Sequence, residues 1–292
     1  SPCFASRIGI RSRYAVVPIA LENHLFRMSP RMRPWILSET HYSHTKTSDY
    51  EVAVLPFGAT EPHNLHLPYG TDTYEADIIG SKICEAAYDR GGKVILLPTI
   101  PYGTETNMRS LPFAMNLYPS TLLQIIRDLV ESLERTGIRK ILLLNSHGGN
   151  EFKPVLRELA GQTSAQLFVC NWFRILQDRY HQIFTHAEDH AGEMETSLML
   201  AYHPDLVRVN EDGKLLADDG ATRRSRFRAV NEGWVGLTRD WDVLTQNTGS
   251  GNPIEASADK GKELMELLIE RLSEFLVDLS ASDIDDLFPF EL

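Results

Sequence analysis

EVAVLPFGATEPHNLHLPYGTD, residues 51–72, joins a continuous apolar run to a polar loop. The run EVAVLPFG (51–58) is ended by Pro56 and Gly58 and predicts a strand buried on both faces that opens into a loop, as in a parallel sheet. The loop then places Glu61, His63, His66 and Asp72 within twelve residues.

Working outward, TYEADIIGSKICEAAYDR (73–90) sets Ala76, Ile79, Ile83 and Ala86 at three- and four-residue steps, which predicts an amphipathic helix. KVILLPTIPYG (93–103) predicts the next strand. PSTLLQIIRDLVESLERTG (119–137) predicts a helix, with Pro119 and Ser120 or Thr121 at its start and Gly137 at its end. RKILLLNSHGGN (139–150) repeats the plan of strand, polar residues and glycines, followed by a helix over 151–159. AQLFVCNW (165–172) predicts a fourth strand, GEMETSLMLAYHPDL (192–206) a helix closed by Pro204, and residues 257–279 a last amphipathic helix that packs. This strand, loop, helix order predicts an α/β fold with a mostly parallel central sheet covered on both faces. Active groups then sit on loops at the carboxyl ends of the strands. Residues 207–257 are less periodic, and their RRSRFR cluster (223–228) reads as a solvated face.

The composition narrows the function. A formal charge of −11, with 40 acids against 29 bases, excludes a general nucleic-acid binder, which needs clustered cations to neutralise phosphates. Cys3, Cys84 and Cys170 form no C-x-x-C pair, so neither a disulfide framework nor a thiolate zinc site is predicted, and a reducing cytoplasm fits. No run of 18 apolar residues predicts a membrane span. The first 34 residues carry six arginines against the single acid Glu22. They read as a targeting segment or, better, as a poorly ordered extension before one domain over 35–292.

Three segments carry the candidate chemistry. In the first, Glu61 and His63 stand two apart, so in extended backbone their side chains share a face. Asp72, at a helix start, reads equally as a cap or as a metal ligand, and His66 reads as a structural histidine. Taken together, carboxylates gathered in a buried loop repel one another unless a cation neutralises them, and imidazole with carboxylate suits zinc, manganese or iron(II). The second segment is NSHGGN (145–150), with His147 just beyond a strand and glycines that admit close backbone approach. The third is EDHAGEMETS (188–197), where His190 follows Asp189 and can act as an acid or base, and where Glu193 and Glu195 open a helix.

These segments resemble the creatininase (creatinine amidohydrolase) family over roughly residues 48–275. Gly58–Asp72 is similar to its G-[ST]-x-E-x-H-x-x-H-x-P-x-x-x-D pattern, Asn145–Asn150 to N-G-H-G-G-N, His190–Ser197 to H-x-G-x-x-E-T-S, and TGSGNPIEASADKG (248–261) to its closing segment. The resemblance implies a three-layer αβα sandwich, commonly hexameric, with one or two divalent ions. It implies Glu61, His63, Asp72 and His147 as ligands, with Asp72 bridging. The enzyme from which the family takes its name carries a metal-binding acid two residues after the histidine, where this chain has Gly149. The resemblance therefore assigns the last ligand to the third segment, Glu195 ahead of Glu193, and leaves Glu193 beside His190 as a catalytic candidate.

The implied reaction is hydrolysis of a C–N bond in a small amide or cyclic amide by a metal-bound hydroxide, with His190 protonating the departing nitrogen. A metal-dependent isomerase or phosphoesterase on the same cage, or a non-catalytic metal-binding protein, are the alternatives, and phosphate chemistry calls for more Arg or Lys than these loops hold. Two departures separate the chain from a creatinine-specific pocket. SLPFAMNL (110–117) stands where the family often has F-P-G-T, and FTHAEDH (184–190) lacks the tryptophan found before the catalytic histidine.

Overall fold

The computed structural model describes residues 32–291; the arginine-rich stretch up to Arg31 lies outside the described residues. From Arg33 onward the chain forms one compact unit. Its centre is a four-stranded sheet in the order β2-β1-β3-β4, with β1 Val52–Phe57, β2 Val94–Leu96, β3 Lys140–Asn145 and β4 Gln166–Asn171. All three pairings are parallel, and Phe57 lies opposite Asn145 at the end of the β1–β3 ladder.

Because successive side chains of a strand point to opposite faces, the apolar runs of β1 and β3 feed two cores. Val52, Val54, Leu142 and Leu144 pack on one side with Ile79 and Ile83 of α1 (Thr71–Asp89) and Leu264 and Leu268 of the C-terminal helix Ala258–Ala281. Ala53, Leu55, Phe57, Ile141 and Leu143 pack on the other with Leu122, Ile126 and Val130 of α2 (Pro119–Arg135) and with Phe152 and Val155 of α3 (Phe152–Leu159). The result is the three-layer αβα sandwich expected from the sequence.

The second strand is shorter than KVILLPTIPYG suggests. Regular pairing stops at Leu96, although Leu97 N–H still donates to Val54 O at 2.9 Å and Ile100 N–H to Pro56 O at 3.0 Å. Pro98 and Pro101 carry no N–H to extend the ladder, so the chain turns away as irregular backbone. The third polar segment also differs from a loop. Glu188–His190 forms β5, an antiparallel partner of β6 (Ser250–Gly251), and leads directly into α4 (Glu193–Tyr202). Helix α4 lies against the C-terminal helix, here α5, and Gly261 makes that approach possible: a Cβ there would stand 2.0 Å from Ser197 O.

Candidate metal centre

β1, β3 and β5 deliver the three polar segments to one place. The loop after β1 carries Glu61 and His63, both buried, and runs into α1. Asp72 lies in the first turn of α1 but caps nothing: the N-cap is Gly70, without a side-chain cap bond, and the Asp72 carboxylate turns inward. The turn after β3 is braced by Asn145, whose Nδ2 donates to His147 O at 2.8 Å and to Asn171 Oδ1 at 2.8 Å.

Asp72 is the meeting point. Its Oδ1 lies 3.1 Å from His63 Nε2 and its Oδ2 lies 3.2 Å from His147 Nδ1. His147 Nδ1 is also 3.0 Å from Glu61 Oε1. Two triads result, Glu61–Asp72–His147 and His63–Asp72–Glu195, the donor atoms within each lying inside 4.8 Å of one another, and a third set joins Glu61, His63 and His190. Each imidazole is held by its other nitrogen. His63 Nδ1 lies 3.0 Å from Glu61 O, His147 Nε2 lies 3.1 Å from Thr104 O, and His190 Nε2 lies 2.9 Å from Pro62 O. A ring N–H donated to a carbonyl fixes the ring's orientation and leaves the opposite nitrogen facing the cluster.

The protonation pattern is that of charges confined together. Burial drives the Glu61 carboxyl well above its usual range and pushes Glu195 up to about 7. Burial also opposes charge on His63, but the Asp72 carboxylate outweighs it and lifts the imidazole to about 10. His147 follows the same logic, burial being overcome by Glu61 and Glu105, which raise it well above the usual value. Asp72, though buried, is held below the carboxylate range by His63 and His147. His190 goes the other way: burial, then the nearby His63, press it down to about 3.

Neither Glu61 carboxylate oxygen nor Asp72 Oδ2, all out of contact with solvent, receives a hydrogen bond of good geometry. Buried carboxylate oxygens without a donor are costly unless a cation meets them. The donor set of imidazole nitrogens and carboxylate oxygens fits zinc, manganese or iron(II).

The other sequence candidates sit apart from this cluster. Glu193 Oε2 accepts from Thr185 N–H at 2.9 Å and His186 N–H at 2.8 Å, and its Oε1 pairs with Lys260. His66 meets Thr196 Oγ1 at 2.8 Å. The Arg223–Arg228 cluster lies away from the centre, with Arg223 donating to Val243 O and the Arg228 guanidinium 5.5 Å over the Trp234 ring.

Three residues here escaped the sequence reading. Glu105, fully buried, puts Oε1 3.1 Å from His147 Nε2; its signal was a lone acid just beyond the second strand. Trp241 stands edge-on to His190, ring centroids 5.6 Å apart, so an aromatic neighbour for that histidine comes from the aperiodic segment and not from residues 184–190. Glu75, one turn beyond Asp72, accepts from Ser146 Oγ at 3.2 Å, and burial drives it well above the carboxylate range. The centre opens into a cleft of about 810 Å³ whose walls include Thr106, Asn107, Met108, Tyr118, Arg239 and Trp241.

Comparison with known proteins places this geometry. The creatininase (creatinine amidohydrolase) family model matches residues 38–276. A creatinine amidohydrolase of Pseudomonas putida is 30% identical over 179 residues, 54% of this chain and 67% of its own. A mycofactocin precursor peptide peptidase of Mycobacterium ulcerans is 24% identical over 227 residues, 76% of this chain and 83% of its own. The crystal structure of a candidate creatinine amidohydrolase from Bacteroides fragilis is 36% identical, covers 86% of this chain and 98% of its own, and superposes with a TM-score of 0.79. With the family model spanning the sheet, the covering helices and all three polar segments, this chain belongs to the creatininase family of metal-dependent amidohydrolases.

Proposed function

We propose that the chain hydrolyses a C–N bond of a small amide or cyclic amide, using one or two divalent cations, zinc, manganese or iron(II). Glu61, Asp72 and His147 would hold one cation and His63, Asp72 and Glu195 the other, with Asp72 shared. The observation that carries this reading is the pair of buried triads with Asp72 in common. A cation held there supplies Lewis acidity and draws the pKa of water from about 15.7 towards ~7.

The chain's own groups supply the rest. His190 is neutral, its Nε2–H anchored on Pro62 O, and its Nδ1 lies 3.6 Å from Glu61 Oε1, facing the cluster. It is placed to take a proton from the attacking water and return it to the departing nitrogen, a transfer worth roughly 10²- to 10⁴-fold. The buried face of Trp241 and the side chains of Met108 and Leu122 shape the cleft for a compact substrate and exclude water from the reacting bond. A phosphate substrate fits less well, because the guanidinium of Arg239 on the cleft wall is already paired with Asp189 at 2.7 Å. Assembly into a homo-oligomer belongs to the same reading and is supported by exposed Phe227, Trp234, Val235 and Leu237. A cytoplasmic setting is supported by the unpaired thiols of Cys84 and Cys170.

The test is metal analysis of the purified protein, followed by a screen of small amides and lactams for release of ammonia, amine or formate. Stoichiometric metal with metal-dependent release is expected. Failure to bind zinc, manganese or iron(II) stoichiometrically overturns the reading.

A further inference from the structure

We infer that Glu105 is a positioning residue of the metal centre, its carboxylate standing 3.1 Å from His147 Nε2 and sharing that N–H with the Thr104 carbonyl, so that the two acceptors together turn the ring's Nδ1 towards Glu61 and Asp72. This rests on the metal-dependent reading above. Glu105 is 0% exposed, and its Oε1 lies 3.1 Å from His147 Nε2 while its carboxyl group lies against that of Glu61. Neither Glu105 oxygen meets a donor in good geometry, and a carboxylate withdrawn this far from water is drawn to the imidazole N–H beside it, which also faces Thr104 O.

The backbone delivers the acid to that spot. Glu105 N–H donates to Asn116 Oδ1 at 2.8 Å, and Thr104 N–H donates to Asn150 Oδ1 at 3.0 Å. Asn150 in turn donates to Asn145 Oδ1 at 3.2 Å, so the segment bearing Glu105 is clamped to the very turn that bears His147. Gly149 completes the arrangement. A Cβ there would stand 2.3 Å from Thr104 O and 2.3 Å from His147 Nε2. A side chain two residues after His147 is therefore sterically shut out, and the carboxylate reaches the histidine from the opposite loop. A ligating histidine that donates its second N–H to a carboxylate is fixed in orientation and made more basic, and loss of such a partner typically weakens metal binding about 10- to 100-fold.

The experiment measures zinc affinity of the full chain by chelator competition for wild type, Glu105→Ala and Glu105→Gln, with melting temperatures alongside. Glu105→Ala is expected to weaken zinc binding about 10- to 100-fold, and the isosteric Glu105→Gln, which keeps an acceptor oxygen, to recover most of it. Unchanged affinity in Glu105→Ala overturns the inference, even if the variant melts earlier. So does equal weakness of the two variants, which would make the negative charge rather than the acceptor the active feature. Independently of folding in the variants, ¹⁵N-histidine spectra of the zinc-loaded wild type, with His147 assigned from His147→Asn, should show the Nε2–H tautomer; an Nδ1–H tautomer overturns the inference. Wild type that takes up no zinc removes the underlying functional reading, whereas zinc-binding wild type with an indifferent Glu105→Ala removes this inference alone.

Discussion

His190 lies against His63, ring centroids 4.2 Å apart and planes inclined by 40°. Two imidazoles in that contact are not both charged, and the division is decided by Asp72, which stabilises charge on His63. His190 is left neutral with a free Nδ1 lone pair. Replacing His190 by Ala is therefore expected to lower kcat by roughly 10²- to 10⁴-fold while stoichiometric metal stays bound. Turnover and metal content measured on the same preparation check this, and metal loss in the variant would move His190 from proton transfer to ligation.

Metal uptake should release protons. In the metal-free protein His63 titrates near 10 and His147 well above its usual value, so both are protonated at pH 7 and a cation must displace those protons. Apparent affinity is expected to rise with pH from 7 towards about 10, and calorimetry in buffers of different ionisation enthalpy should report net proton release. The sign reverses for metal-free stability. A folded-state pKa raised from 6.5 to about 10 contributes stability that is complete below about pH 6.5 and is lost as pH climbs through 10. Alkaline pH should thus destabilise the apoprotein while tightening its hold on metal.

Lys140 opens β3 almost wholly buried and spends its ammonium on the far end of α5. Its Nζ donates to the carbonyls of Leu279, Ser280 and Ser282 at 3.1, 3.3 and 2.6 Å, and lies 3.3 Å from Glu51 Oε2. Those carbonyls have no onward helical partner, and a cation at a helix carboxyl end is also favoured by the dipole. Lys140→Met should cost roughly 2 to 4 kcal/mol, seen as an earlier denaturation midpoint, with kcat little changed because the residue is at the end of the sheet away from the cluster.

Gly261 sets how closely α5 approaches α4. A Cβ would meet Ser197 O at 2.0 Å and the Ala201 methyl at 2.9 Å. Gly261→Ala forces the helices apart and should cost roughly 1 to 3 kcal/mol, together with weaker metal binding, since Glu195 rides on the displaced helix. Equal metal affinity in this variant and wild type would show that α4 keeps its place without the close contact.

The sequence by itself determined the layers. Unbroken apolar runs at 52–57 and 141–144, each followed by glycine-punctuated polar residues and a helical period, leave few alternatives to a parallel sheet clothed on both faces, because strands so apolar must be buried on both sides. The same stretches supplied most of the clustered acids and imidazoles, because loops at the carboxyl ends of adjacent parallel strands necessarily converge. Tertiary structure alone decided the rest. Glu193 and Glu195 stand two positions apart on one helix, so they point about 200° away from each other, and only the packing of α4 against α5 turns Glu195 into the cluster and Glu193 towards Lys260. Glu105 and Trp241 reach His147 and His190 across 42 and 51 residues of chain, through backbone clamps and a side-chain volume forbidden at Gly149, and no local period records such contacts.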